Sequence, residues 1–115
     1  MSTVIHTKTM SGNSRAFVAN WVNLAMGDEG EAIDFSQFTD KSVQVVGLFG
    51  SGGALALEGS NDGANWAVLT DPQGNDLNIT SSKIEMVTEA TLKVRPRVIG
   101  GDGTTDLSVH ILMKE

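Results

Sequence analysis

The sequence predicts a single all-β domain, and three observations lead there. Short apolar stretches alternate with turn signals roughly every 8 to 12 residues, the spacing of an antiparallel sandwich or barrel. Glycine is abundant, at 13 residues, whereas proline contributes only two. After position 40 no stretch of about ten residues keeps helical periodicity.

Taken in order, residues 1–15 are polar, carrying Thr3, Thr7, Thr9, Ser11, Gly12, Asn13 and Ser14. They read as an N-terminal arm or a weak edge strand, with the folded body at 16–115. From Phe17 to Met26 the pattern is mixed. Val18, Val22 and Met26 suit a helical face, and Phe17, Ala19 and Trp21 alternate as in a strand; β-branched and aromatic content favours strand. Gly27-Asp28-Glu29-Gly30-Glu31 is an acidic turn. A strand follows at Val43 to Leu48, then the turn Gly50-Ser51-Gly52-Gly53 and a return strand with Leu55 and Leu57 inward. Asn61-Asp62-Gly63 is a tight-turn signal, because Asp-Gly readily takes positive φ. Trp66 comes just after it and is expected to plug the core. Asp71-Pro72-Gln73-Gly74 turns the chain again, and short strands are expected at Leu77–Thr80, Ile84–Glu89 and Leu92–Ile99. The last strand places Leu107, Val109, Ile111 and Met113 on one face.

Composition limits what such a domain does. Eight Lys and Arg against 14 Asp and Glu give a net charge of −6 with histidine neutral, which repels nucleic-acid phosphate. With no cysteine, disulfides, thiolate chemistry and zinc–cysteine sites are excluded. No apolar run approaches the ~20 residues that cross a bilayer. The start, Met1 to Lys8, lacks the layout of a secretory signal, so synthesis in the cytoplasm is expected. His6 and His110 stand apart, without metal-ligand spacing. The glycine-rich turns lack the Lys-Ser/Thr of a phosphate loop, and Gly50-Ser51-Gly52-Gly53 is no nucleophile elbow. Asp28-Glu29-Glu31 and Asp102…Asp106 lack the alternating ligands of a calcium loop. These residues point to a protein without catalysis, cofactor or metal.

Contact residues are the remaining candidates. Lys93, Arg95 and Arg97 share a face of one strand. If that strand forms a hairpin with the preceding one, turning near Ala90, Glu85 and Glu89 lie opposite the bases and pair with them. Otherwise the row is a basic stripe for an acidic partner surface. Pro96 in the same strand implies a free edge or a bulge. Trp21, Phe35 and Phe38, in the less regular first third, divide between core and intersubunit surface, and Val4, Ile5 and His6 are the contact candidates of the arm.

Several motifs then occur in order: Ser42–Gly50, Leu57-Glu58-Gly59-Ser60-Asn61-Asp62-Gly63-Ala64-Asn65-Trp66, Leu69–Gly74, Val94-Arg95-Pro96-Arg97-Val98 and Gly100–Leu107. With Gly27–Glu31 they resemble small structural proteins of tailed bacteriophages and prophages, of the capsid decoration or cement type, over about residues 21–113. That resemblance implies a β-sandwich or jelly roll without catalysis, assembled as a homo-oligomer, commonly a trimer. Its partner would be the major capsid protein, on the outer capsid surface of the virion. It transfers no individual site residue. The Glu58-to-Trp66 hairpin alone also resembles discoidin-type sandwich domains that bind sugars or lipids, which makes a carbohydrate-binding module the rival expectation. A head-completion or tail component is a third.

Overall fold

The computed structural model describes residues 2–10, 16–34, 38 and 40–114. Among them there is no helix, and none therefore long and apolar enough to cross a membrane. Among the described residues, eleven strands form two sheets packed as a sandwich: β1 (Thr3–Val4), β2 (Thr7–Met10), β3 (Ala16–Leu24), β4 (Glu29–Gly30), β5 (Asp40–Leu48), β6 (Ala54–Ser60), β7 (Ala67–Val68), β8 (Asn78–Ile79), β9 (Lys83–Val87), β10 (Lys93–Ile99) and β11 (Asp106–Lys114). The first sheet runs β1-β4-β10-β6-β7, with β8 also on β6, and the second runs β2-β3-β11-β5-β9.

This order is a jelly roll. From β3 to β6 and again from β8 to β11 the chain alternates between sheets, with β6, β7 and β8 together in the first, so that the last strand, β11, lies between β3 and β5, and β10 lies between β4 and β6. The short strands β7 and β8 pair with opposite ends of β6 and act as one edge strand, interrupted by the Asp71–Asp76 turn. The segment expected as an arm supplies an edge strand to each sheet. β1 pairs in parallel with β4 and β2 antiparallel with β3, so the weak-strand alternative describes residues 2–10. Residues 11–15 lie outside the described residues.

Alternation puts one parity of each strand into the core. Ala19, Trp21 and Leu24 of β3, Val43 and Val45 of β5, and Leu107, Val109, Ile111 and Met113 of β11 face Leu55, Leu57, Val94 and Val98 across the sandwich. Fully burying side chains of this size contributes about 1.5–3 kcal/mol each before ordering costs are subtracted. β3 takes the extended form, not the helical one, because both its edges are paired. It carries an irregularity opposite Leu107–Val109, where Asn23 takes φ 59°, a conformation Asn tolerates better than most residues.

Two expectations are corrected here. The strands bearing Glu85 and Arg95 do not form a hairpin: β9 belongs to the second sheet and β10 to the first. Nor is Trp66 a core plug; it is only half-buried, outside the core cluster. By contrast Pro96 does mark a bulge. Arg97 pairs with Glu29 and Val94 with Ile33, so residues 29–33 carry one more residue than the facing 94–97. The neighbouring amides at Val94 and Val98 bond to Ile33 O and Asp28 O, so the missing N–H of Pro96 falls in this interrupted stretch.

Candidate contact surfaces

The sandwich presents two broad outer faces, and they differ in chemistry. On the first sheet, Lys93, Arg95 and Arg97 of β10 stand beside Ser60, Glu58 and Ala56 of β6, with Glu29 of β4 next to Arg97. Arg95 bonds Glu58 Oε1 through Nε at 3.0 Å and Glu29 Oε2 through Nη1 at 3.0 Å. Arg97 Nη1 lies 3.6 Å from the other Glu58 oxygen. Above this cluster the Arg95 guanidinium lies 4.1 Å from the centre of the Trp66 ring, a cation–π contact. Two members of the basic row, Arg95 and Arg97, are thus neutralised in place. Its acids come from β4 and β6, not from β9, a pairing of strands 37 and more residues apart that no local pattern reveals.

The outer face of the second sheet carries the opposite parity of β3, β11, β5 and β9. Neighbours across it are Val18, Leu112, Ser42 and Met86 in one row and Asn20, His110, Gln44 and Ile84 in the next, then Ser108 beside Val46. His110 Nδ1 and Asn20 Oδ1 lie 2.7 Å apart. Ile84 is 61% exposed, Met86 54% and Leu48, at the end of β5, 64%. A shallow groove of about 280 Å³ opens at the other end, lined by Asp40, Lys41, Ser42, Met86, Leu112 and Lys114. None of these residues was singled out from the sequence. The available signal was the presence of apolar residues on both parities of one strand, as in Val45-Val46 and Ile111-Leu112.

The N-terminal candidates form a strap between the sheets. Ser2 donates to Asp28 Oδ1 through its amide at 3.2 Å and its hydroxyl at 2.8 Å, and Asp28 Oδ2 accepts from Ala25 N at 2.9 Å. Burial pushes the Asp28 carboxyl upward, but these hydrogen bonds outweigh it and hold the group below its ordinary value. Val4 packs against the core while Ile5 is exposed. His6 Nδ1 lies 2.6 Å from Glu31 Oε1, and its ring lies against Trp21, whose Nε1 donates to Glu31 O at 3.1 Å. Trp21 is fully buried, and Phe38, stacked edge-on to Phe17, is 3% exposed. Both are therefore core side chains, not surface contacts. Phe35 lies outside the described residues.

The acidic turns hold themselves together. Asp102 accepts from Ser51 N at 2.9 Å and from Thr104 N at 2.8 Å, joining the turns around Gly50 and Gly103. Gly101 sits there at φ 98°, and a side chain on it would run into the Thr105 hydroxyl. Asp62 accepts from Ala64 N and Asn65 N, both at 2.8 Å, and from Asn65 Nδ2 at 2.7 Å. The bonds to Asp62 hold its carboxyl well below the ordinary range, and the Thr104 hydroxyl, 2.6 Å from Asp102 Oδ1, together with the two amides lowers that of Asp102. Among the described residues no group of three or more His, Cys, Asp or Glu is arranged to hold a metal ion.

No protein-family model matches the chain, and no curated protein is significantly similar to it in sequence. One solved structure shares its fold at a level that bears on the assignment. The SPBc2 prophage-derived protein YomS superimposes with a TM-score of 0.64 at 14% identity, over 87% of this chain and 95% of that one. An RmlC-like cupin protein from Desulfovibrio desulfuricans reaches 0.48 at 10% identity, over 97% of this chain and 82% of that one, too distant to bear on the assignment. The chain is a two-sheet β-sandwich of jelly-roll topology, similar in fold to a prophage-derived protein.

Proposed function

We propose that this chain is a structural protein of a tailed-phage virion that decorates the outer capsid surface and stabilises the head by non-covalent contacts. One observation carries the reading: a five-stranded face without formal charge at its centre, on a sandwich whose Arg95–Glu58–Glu29 cluster and acidic turns are engaged internally. Such a surface is suited to adhesion. The ordered resemblance of residues 21–113 to decoration proteins supports it, as does the prophage origin of the YomS structure. The protein acts by binding and not by chemistry, without cofactor, and its partners are the major capsid protein and further copies of itself, in threes on the family resemblance. The net charge of −6 keeps the free subunit soluble and away from the genome. Many equivalent weak contacts on a symmetric shell then add up through multivalency.

The test is co-sedimentation of the purified protein with empty heads of its own phage. Saturable binding at a fixed ratio to coat protein is expected; a protein that stays in the supernatant contradicts the reading. The carbohydrate-binding alternative is less well served, because Arg95 already covers one face of the Trp66 ring. A glycan array would revive it if Trp66→Ala abolished saturable binding.

A further inference from the structure

We infer that a proton taken up by His110 releases the outer face of the second sheet from the surface it covers; this rests on the adhesion reading above and adds its regulation. His110 stands in the middle of that face, between Asn20 of β3 and Gln44 of β5, with Ile84 of β9 next in the row. The hydrogen bonds of Asn20 fix the tautomer of the ring. Asn20 Nδ2 donates to Thr9 Oγ1 at 3.2 Å, Val18 O at 3.3 Å and Thr7 O at 3.4 Å, which turns its Oδ1 to His110. That oxygen only accepts, and it lies 2.7 Å from His110 Nδ1, so Nδ1 carries the hydrogen. The lone pair of the neutral ring is left on Nε2, and an added proton goes there. No described residue bonds Nε2.

Among the described residues nothing beside the ring offsets the charge this proton brings. The outward neighbours are Val18 and Asn20 on β3, Ser42, Gln44 and Val46 on β5, and Ile84 and Met86 on β9, all uncharged. On β2, Thr7 and Thr9 share this parity, while Lys8 has the opposite one beside Ala19. On β9, Lys83 and Glu85 also have the opposite parity and lie 3.6 Å from each other. Along β11 itself, Asp106 and Lys114 are each four residues from His110, about 14 Å at about 3.4 Å per residue, with Asp40 beside Lys114. That separation exceeds the Debye length of about 8 Å at physiological salt. A ring covered by a partner loses the water that solvates its charged form, so the complex favours neutral imidazole. The free protein then holds more protons than the complex, and by linkage a lower pH weakens adhesion. Imidazole is the side chain that ordinarily changes charge between about pH 5 and 8, which places the effect in that interval.

The experiment is co-sedimentation with empty heads at about pH 7.5 and about pH 5.5, for wild type, His110→Gln and His110→Lys, with circular dichroism to verify each fold. The lower value stays above the range in which the carboxylates titrate. Wild type is expected to bind at least about threefold more weakly at the lower pH. His110→Gln has no imidazole at this position and is expected to bind alike at both values. His110→Lys is charged at both and is expected to bind weakly at both. Wild-type affinity that stays level or rises in acid overturns the inference, since a rise would mean a partner carboxylate over the ring. A pH dependence that persists undiminished in His110→Gln overturns it, as does His110→Lys binding as tightly as wild type at the higher pH. All of these leave the adhesion reading standing, because the heads are still bound; a wild type that binds heads at neither pH sinks both.

Discussion

Gly30 and Pro96 are packed against each other across the seam between β4 and β10. A Cβ on Gly30 would stand 2.5 Å from Pro96 Cγ and 2.7 Å from Trp21 Cδ1. The absent side chain lets β4 close over the one position of β10 that donates no hydrogen bond, and seats the Trp21 indole beneath. Gly30→Ala is therefore expected to lower stability by about 1–3 kcal/mol, the usual cost of overpacking a core. Urea denaturation measures this, and Gly74→Ala, where a Cβ meets nothing within 4 Å but φ is 86°, separates collision from backbone strain.

Arg95 joins two strands and an aromatic ring, so its loss affects more than one contact. Arg95→Ala strands the buried Glu58 with only the longer Arg97 contact and is expected to cost about 2–4 kcal/mol. Arg95→Lys should recover only part of this, because an ammonium does not span Glu29 and Glu58 while covering Trp66. A double-mutant cycle with Trp66→Ala should give a coupling of about 0.5–2 kcal/mol. A coupling of zero would mean that the guanidinium and the ring do not interact in solution.

Acid should weaken the fold in a defined direction. Asp28 and Glu89 are pushed up by burial, but hydrogen bonds outweigh this, and Asp62 and Asp102 are lowered by hydrogen bonds alone; all four folded values lie below the ordinary 3.8 for Asp and 4.5 for Glu. The unfolded chain thus takes up protons first as pH falls. Their stabilisation is complete above about pH 4.5 and is lost progressively as pH drops through the folded values. Thermal melts from neutral pH downward should show a flat region and then a falling limb, and Asp62→Asn should make that limb shallower.

The strap offers a separate test. Asp28→Ala removes the acceptor shared by Ser2 and Ala25 and is expected to cost about 1–3 kcal/mol if the freed donors stay shielded. Hydrogen exchange should then accelerate at Glu29 and Glu31, whose amides bond to Ser2 O and Val4 O, while β5 and β11 stay protected.

Much of the sandwich is legible in the sequence where alternation is strict. β11 and the Val43–Val45 part of β5 show their core parity directly, and the Pro96 bulge follows from proline's missing donor. What is not legible depends on pairing at long range. In this jelly roll the successive strands β9 and β10 enter opposite sheets, so the assumption that neighbours in sequence pair led to Glu85 and Glu89 as partners of the bases in place of Glu29 and Glu58. Trp66 reads as core from its place after a tight turn, and only the position of Arg95 explains how half a tryptophan stays at the surface. Residues 2–10 read as an arm or a weak edge strand because the segment is largely polar, and backbone pairing with β3 and β4 and the Asp28 carboxylate decide for the strand. The outer face of the second sheet escapes notice because its apolar residues come from four strands.

The most direct measurement is the number of copies in intact particles. Quantitative mass spectrometry of purified virions, with immunogold labelling of unbroken heads, should find this chain in a fixed, near-stoichiometric ratio to coat protein and reachable from outside. Its absence from purified particles, or its confinement to a few copies at the tail, would contradict a role on the capsid surface.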